Sequence, residues 1–230
     1  MIKYIAEKQN KIRQKFNSYN LHGVPVKIND EINFDISKVL EKVESILPEK
    51  IFKNLSVIKI ANMESVGKNL PFNAYYINKR LFINNEQDGV TDAVDDIVHE
   101  MSHHLEGKYS DLIYEGGRLA REFLQKRKML HDLLAANGLR PPPTLTTELK
   151  YDKKIDNYLY SKLGAKLNNF LGTLFINEYS ITSLREYYGV GFEKYLLDFD
   201  SHAKMKRYNP ILFEKITTLI KVLKDEENEK

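Results

Sequence analysis

Residues 92–105 are the part of the chain for which the sequence makes the most definite structural prediction. Apolar residues recur in this segment at intervals of three and four, the spacing of one buried helix face. They are Val94, Ile97, Val98, Met101 and Leu105. His99 and His103 are one turn apart and fall on a different face. The pattern predicts an amphipathic helix, capped by Asp88 or Thr91, that presents two imidazoles side by side.

The order of the predicted helices and strands is typical of an α+β fold. We predict helices at residues 1–17 and 35–47, and strands at residues 24–28, 55–60 and 75–84, the last divided by a turn at Asn78-Lys79. After the helix of residues 92–105, further helices are predicted at residues 119–136, 151–169, 173–188 and 210–223, before a solvated tail. We therefore expect a small mixed sheet packed on the helix of His99, followed by a mainly helical C-terminal half.

A proline-rich segment is the one plausible internal boundary. Residues 139–147 contain three consecutive prolines, Pro141 to Pro143, and predict a stiff polyproline connector. Its simplest interpretation is an exposed spacer. We predict one domain over residues 1–230, with an α/β part up to residue 138 and a helical part from residue 148.

Charge and hydropathy exclude several classes of function. The chain has 35 Lys and Arg against 32 Asp and Glu, and the net charge of +3 is too small and too evenly spread to indicate a nucleic-acid groove or a membrane-binding face. Residues 1–16 lack the apolar stretch of a secretory signal, and no segment approaches the roughly 18 apolar residues that span a bilayer. We expect a soluble protein, cytoplasmic or particle-associated, that binds neither nucleic acid nor membrane.

His99, Glu100 and His103 form an HExxH pattern. Because the chain has no cysteine, a transition metal must be held by His, Asp or Glu. Two imidazoles one turn apart can converge on one zinc ion at about 2.0–2.1 Å each. Glu100, about 100° around the helix, is suited to act as general base on a metal-bound water. The pattern predicts the zinc site of a metallopeptidase.

Two alternatives to a metal site stay open at this point. The two histidines can lie exposed on a surface helix. Alternatively, Asp95 and Asp96 can be their hydrogen-bonding partners, without a metal. Asp96, one turn before His99, can also orient that imidazole or act as a solvated charge at the helix start.

A catalytic zinc site needs a third protein ligand. Glu106 and Tyr109 stand where the extended motif HExxHxxGxxH has its glycine and third histidine, so that class of site is not expected. Among the downstream acids, Glu178 is flanked by apolar residues on a predicted helix, and a carboxylate in such surroundings needs a partner such as a metal. We predict Glu178 as the third ligand.

The motif His99-Glu-Met-Ser-His103, together with Glu178-Tyr179 and Arg185, resembles a family of gluzincins that contains the anthrax lethal factor catalytic domain and the Pro-Pro endopeptidases. The resemblance covers about residues 55–223, with further matching positions at residues 200–203, 209–210, 213 and 216. It implies a zincin-like fold and a protein or peptide substrate. It also implies that His99, His103 and Glu178 bind Zn²⁺ and that Glu100 activates water.

The chain departs from this family at two positions. Phe170 and Leu171 stand where the family has a tyrosine that steadies the oxyanion, and Thr182 replaces a second acid one turn beyond the ligand. The candidate replacement donors are Tyr158, Tyr160, Tyr179 and His104, each of which is also suited to a packing role.

Three functions are consistent with these features. The first is a zinc-dependent metalloendopeptidase, whose substrate can pair as an extended strand with residues 75–83. The second is a zincin-fold structural or binding component of a larger assembly, such as a phage particle, with impaired catalysis. The third is a metal-free helical interaction module.

Overall fold

The computed structural model of the chain describes residues 19–63 and 73–228, and it divides into two compact units. One unit ends at His104 and the other begins at Leu105. This division lies within one long helix, while the proline-rich segment 139–147 lies inside the second unit. The helix predicted at residues 1–17 lies outside the described residues.

The first unit contains a five-stranded mixed sheet, which confirms the predicted α+β class. Its strands are β1 (Tyr19–Leu21), β2 (Val24–Ile28), β3 (Val57–Ala61), β4 (Ala74–Ile77) and β5 (Arg80–Asn84). Their order across the sheet is β1-β2-β3-β5-β4. The pairs β2–β3 and β3–β5 are parallel, and the outer pairs β1–β2 and β4–β5 are antiparallel. Strand β4 is therefore an edge strand among the described strands.

Both antiparallel pairs are hairpins with two-residue turns. His22 and Gly23 connect β1 to β2 with φ values of 48° and 83°, and Asn78 and Lys79 connect β4 to β5 with φ values of 50° and 61°. Two consecutive residues with positive φ are typical of the turn type whose twist matches that of the flanking strands. The predicted turn at Asn78-Lys79 is confirmed.

Helices α1 and α2 follow their sequence patterns. Helix α1 (Ile36–Ile46) begins after Asp35, whose carboxylate accepts the Lys38 amide at 3.3 Å, and it ends before Pro48. Helix α2 (Val90–Tyr114) buries all five residues of the predicted apolar stripe. It continues beyond Leu105, the last residue of the predicted helix, as far as Tyr114. Tyr109 departs from helical geometry, with φ of −115° and ψ of 22°.

The described residues of the second unit form helices and no strand. The helices are α3 (Arg118–Ala136), α4 (Lys153–Asn157), α5 (Asn168–Leu171), α6 (Leu184–Leu197), α7 (His202–Tyr208) and α8 (Pro210–Asn228). Helix α3 ends as predicted, with Gly138 at a φ of +76°. Helix α8 begins at the predicted Pro210 but continues past residue 223, so the predicted tail is helical up to Asn228.

Two predicted helices of this unit are interrupted. Residues 151–169 contain α4, a π-helical turn at Tyr158–Leu163, a 3₁₀ turn at Gly164–Leu167 and the start of α5, instead of one regular helix. The helix predicted at residues 173–188 is wrong over residues 173–183, because a 3₁₀ turn at Tyr179–Ile181 precedes α6. Ser183 starts α6 by accepting the Glu186 amide at 3.1 Å. A side chain that binds nearby backbone in this way competes with helix continuation.

Close packing and capping organise the helices of the second unit. A Cβ atom at Gly191 would lie 2.6 Å from Leu212, so only glycine allows α6 and α8 to approach this closely. Glu122 on α3 accepts the amides of Ile211 and Leu212 at 2.8 and 3.1 Å. Its negative charge thus lies at the start of α8, where helix amides carry partial positive charge. Across the described part of the chain, every helix is too short or too polar to cross a membrane.

Candidate metal centre

His99, Glu100 and His103 come together on helix α2. Their potential ligand atoms all lie within 4.8 Å of one another. The two imidazole rings have centroids 5.0 Å apart and are nearly perpendicular, at 85°. Both histidines are buried, with 9% and 5% of their surface exposed, whereas Glu100 is half-buried. The alternative of two exposed histidines on a surface helix is therefore wrong.

The donor set of these three residues fits a zinc ion. Two Zn–N bonds of about 2.0–2.1 Å at a tetrahedral angle place the nitrogens about 3.4 Å apart. Ligand atoms within 4.8 Å of one another exceed that separation by no more than about 1.4 Å. Imidazole and carboxylate are also the ligand types that zinc prefers when thiolates are missing. The geometry is compatible with a metal site on one turn of α2.

Asp96, one turn before His99, lies in a largely buried position. Its carboxylate accepts a hydrogen bond from the Gln87 side-chain amide at 3.1 Å. Burial raises the pKa of Asp96 from 3.8 to about 7, and the nearby charges of Asp92 and Glu100 act in the same direction. Asp96 is thus not a freely solvated helix-start charge. Gln87 is itself positioned by Asn33, which exchanges two hydrogen bonds with the Gln87 backbone at 2.9 and 3.0 Å.

His104 has a packing role, although it borders the motif. Its Nε2 lies 3.0 Å from the Lys53 carbonyl oxygen, and its Nδ1 lies 3.1 Å from the Tyr76 hydroxyl. Since a carbonyl oxygen only accepts, Nε2 carries the proton and Nδ1 accepts from Tyr76. Burial lowers the pKa of His104, which favours this neutral form. The ring thus connects α2 to the edge strand β4, and His104 is not a free oxyanion donor.

Glu178, the predicted third ligand, belongs to the second unit. It is half-buried and lies directly before the 3₁₀ turn at Tyr179–Ile181, on a turn instead of the predicted helix. Within the described part of the chain its carboxylate has no hydrogen bond or ion pair. The flanking side chains Asn177 and Ser180 fix the turn: Asn177 accepts the Ser180 amide at 2.9 Å, and the Ser180 hydroxyl donates to the Asn177 carbonyl at 2.6 Å. Its role as ligand stays a prediction.

Two buried cations on α3 hold the chain on either side of Glu178. Lys126 donates to the carbonyl of Leu174 at 2.8 Å, four residues before Glu178. Arg127 donates to the carbonyls of Ile181 and Thr182, the latter at 2.8 Å, and so fixes the end of the turn. Burial lowers the pKa of both cations, that of Arg127 to about 10.

The arginine of the family resemblance, Arg185, pairs with Glu106. Its Nε lies 2.8 Å from the Glu106 carboxylate, which also accepts a hydrogen bond from the Tyr114 hydroxyl. Burial and the charge of Glu106 raise the pKa of Tyr114 well above its usual range. Glu106, where the extended motif would have glycine, therefore forms part of a polar cluster within the second unit.

The tyrosines considered as oxyanion donors differ in their surroundings. Tyr158 is buried, with 7% of its surface exposed, whereas Tyr160 is 42% exposed. Burial, together with the charges of Asp156, Glu178 and Glu186, raises the pKa of Tyr160 to about 12. Tyr160 is therefore protonated at neutral pH, and it interacts electrostatically with Glu178. Tyr179 is half-buried in the turn after Glu178.

The residues that support these side chains were not predicted from the sequence. Lys126 and Arg127 fall in the apolar stripe of α3 beside Phe123 and Leu130, where a basic residue is unexpected. Two basic residues within an apolar stripe could have indicated that their charged groups bind buried partners. Gln87 and Tyr76 had no such signal, because their side-chain partners, Asp96 and His104, lie on a different element.

Comparisons with known proteins add no relative. Neither the protein-family models, nor the curated proteins, nor the solved structures include a match to this chain.

Proposed function

We propose that this protein is a zinc-dependent metalloendopeptidase with a zincin-like fold. The observation that carries the proposal is the convergence of His99, Glu100 and His103 on one turn of α2, with both imidazoles buried. Burying two imidazoles beside a carboxylate has a desolvation cost that a metal ion offsets. The resemblance of the same motif to the lethal factor and Pro-Pro endopeptidase gluzincins supports the same conclusion.

His99 and His103 would hold the ion as neutral imidazoles, and Glu178 would supply the third ligand. When bound, zinc polarises a carbonyl group and lowers the pKa of water towards neutrality. The half-buried carboxylate of Glu178, which has no protein partner in the described part of the chain, is suited to this role. The contacts of Asn177, Ser180 and Arg127 hold its backbone without using the carboxylate.

Glu100 would act as the general base. It follows His99 directly on α2 and is less buried than either histidine, so its carboxylate can reach both protein ligands and solvent. In the proposed reaction Glu100 takes a proton from the attacking water and then gives it to the leaving amine of the cleaved peptide bond. One residue thereby serves both proton transfers.

The edge strand β4 would bind the substrate. It is the last described strand of the sheet, so its outer edge can pair with an extended peptide. The hydrogen bond between Tyr76 and His104 connects β4 to the helix of the motif. A peptide that adds to β4 would therefore be held by a strand that is tied to α2. This arrangement favours an endopeptidase over an enzyme for free amino acids or other small molecules.

The test compares zinc content with cleavage of a peptide library in the wild type and in Glu100→Gln. We expect one zinc per chain in both, and a loss of about 10²–10⁴-fold in kcat for the variant, the range of general-base contributions. Glu115→Gln, the same change at an exposed position, is the control and should leave cleavage unchanged. Cleavage by Glu100→Gln at the wild-type rate would disprove the role of Glu100.

A second comparison tests Glu178. We expect Glu178→Gln to lose zinc while its unfolding in EDTA stays close to that of the wild type, because the carboxylate makes no contact that holds the turn. A zinc-loaded wild type that cleaves no member of a diverse library, and that copurifies stoichiometrically with an assembly, would instead support the role of a structural component.

A further inference from the structure

A pocket in the second unit has no part in the proposed peptide cleavage. It has a volume of about 620 Å³, within the range of about 300–1,000 Å³ that is usual for small-molecule sites. Seven residues line it: Arg140, Pro142, Lys154, Asn157, Tyr158, Ser161 and Lys162. They come from the proline-rich segment, from α4 and from the π-helical turn. Pro142 thus contributes a rigid wall, which goes beyond the spacer role expected of the prolines.

The charges around this pocket are all of one sign. Arg140, Lys154 and Lys162 are cationic, and none of the lining residues that the structure describes is acidic. The two acids nearest in sequence have other partners. Asp152 accepts the amides of Lys154 and Ile155 at 2.6 and 3.2 Å, and Asp156 accepts the Tyr151 hydroxyl at 3.0 Å. Three cations on one concave surface attract an anion with more than one negative charge.

The Tyr158 hydroxyl gives a second, independent indication of a ligand. Tyr158 is 7% exposed, and its buried hydroxyl oxygen has no hydrogen-bond partner among the described residues. A buried hydroxyl without a protein partner destabilises the folded state unless a water, an ion or a ligand satisfies it. Tyr158 also begins the π-helical turn, a distortion that is frequent at functional sites. The same turn supplies Ser161 and Lys162.

We propose that this pocket binds a small molecule that carries phosphate groups. A phosphate monoester has a charge of about −1.5 to −2 at pH 7 and three strong acceptor oxygens. The guanidinium of Arg140 can donate to two of these oxygens at once, and the lysines supply point charges. The hydroxyls of Tyr158 and Ser161 and the amide of Asn157 are neutral donors to the remaining acceptor sites.

The test is isothermal titration calorimetry with inorganic pyrophosphate. We expect the wild type to bind one pyrophosphate per chain. Arg140→Gln and Lys162→Gln should each weaken binding about tenfold, the loss expected for one charge-assisted hydrogen bond. Both residues are exposed, so these variants should fold. Tyr158→Phe, which removes one oxygen and no charge, should weaken binding severalfold and is the more specific variant.

Lys166→Gln is the matched control. It removes one charge from an exposed position four residues beyond Lys162, outside the pocket lining, and should leave the affinity unchanged. If it weakens binding as much as Lys162→Gln, the attraction comes from general surface charge and the proposal fails. Wild-type protein that shows no saturable binding at millimolar pyrophosphate also overturns it. So does protein that binds vesicles of an anionic phospholipid but not free pyrophosphate.

Discussion

The Nε of Arg127 donates a 2.8 Å hydrogen bond to the carbonyl oxygen of Ile181. The same fully buried guanidinium also donates to the carbonyls of Glu148 and Thr182, at 2.6 and 2.8 Å. Burial lowers its pKa to about 10, so it stays charged at neutral pH. A single cation on α3 therefore fixes the backbone at the end of the turn that follows Glu178.

Replacing Arg127 by Met should destabilise the protein by about 3 kcal/mol, because two buried carbonyls and one part-buried carbonyl lose a charged donor while the desolvation cost of the cation disappears. Urea unfolding in EDTA measures this without a contribution from bound metal. Arg121→Met, on the exposed side of the same helix, should change stability by no more than about 0.5 kcal/mol. Equal effects of the two changes would show that Arg127 has no special role.

The adjacent residues His103 and His104 should respond differently to the same substitution. We expect His103→Asn to lose zinc, because a proposed ligand is removed. His104→Asn should keep one zinc per chain and lose about 1–2 kcal/mol of stability, because its bonds to Tyr76 and Lys53 are broken. Metal analysis and urea unfolding of both variants test this. Loss of zinc from the His104 variant would contradict the packing role.

The parts of the fold that the sequence predicted are those with local causes. The apolar stripe of α2 depends on helical spacing alone, and the turn at Asn78-Lys79 depends on two residues between strands. The end of α3 before Gly138 is equally local. Each of these features depends on a few neighbouring residues. The spacing of apolar residues predicts the helix, and the turn-forming residues predict the turn and the helix end.

The surroundings of the candidate site were not predicted, because they depend on side chains that bind the backbone of the segment before Ser183. The segment before Ser183 has helical spacing, but Asn177, Ser180 and Ser183 bind nearby backbone and divide it into turns. Arg127 reaches that segment from more than 50 residues away. The periodicity of apolar residues does not show such contacts. For this reason Glu178 was predicted to lie on a helix, whereas it lies directly before a 3₁₀ turn.

The stability of the metal-free protein should depend on Asp96. Its pKa is raised from 3.8 to about 7, so between these values the folded chain holds a proton that the unfolded chain has released. Stability therefore falls as pH rises through this window, and the loss is complete above pH 7. Asp96→Asn should accordingly be more stable than the wild type at pH 8, by about 2–4 kcal/mol, and the difference should shrink towards pH 4.

Urea unfolding in EDTA at several pH values measures this effect. Asp111→Asn is the matched control, since Asp111 is exposed on the same helix. A variant of Asp96 that is less stable than the wild type at pH 8 would show that the Asp96 charge is stabilising.

Tyr160 is the strongest candidate for the oxyanion donor that Phe170 and Leu171 cannot supply. It is 42% exposed, its pKa of about 12 keeps the hydroxyl protonated, and the charge of Glu178 contributes to that value. Tyr160→Phe should therefore lower kcat about 10²-fold, the loss seen for one oxyanion donor, and leave zinc content and KM unchanged.

Steady-state kinetics on a cleaved peptide tests this, with Tyr151→Phe as control. Tyr151 is 60% exposed, and its hydroxyl bonds to Asp156, so the same change there should leave kcat unchanged. Because a donor to the oxyanion acts only in the transition state, a rise in KM at constant kcat would assign Tyr160 to substrate binding. If Tyr160→Phe loses zinc, the Tyr160 hydroxyl instead helps to position Glu178 as a metal ligand.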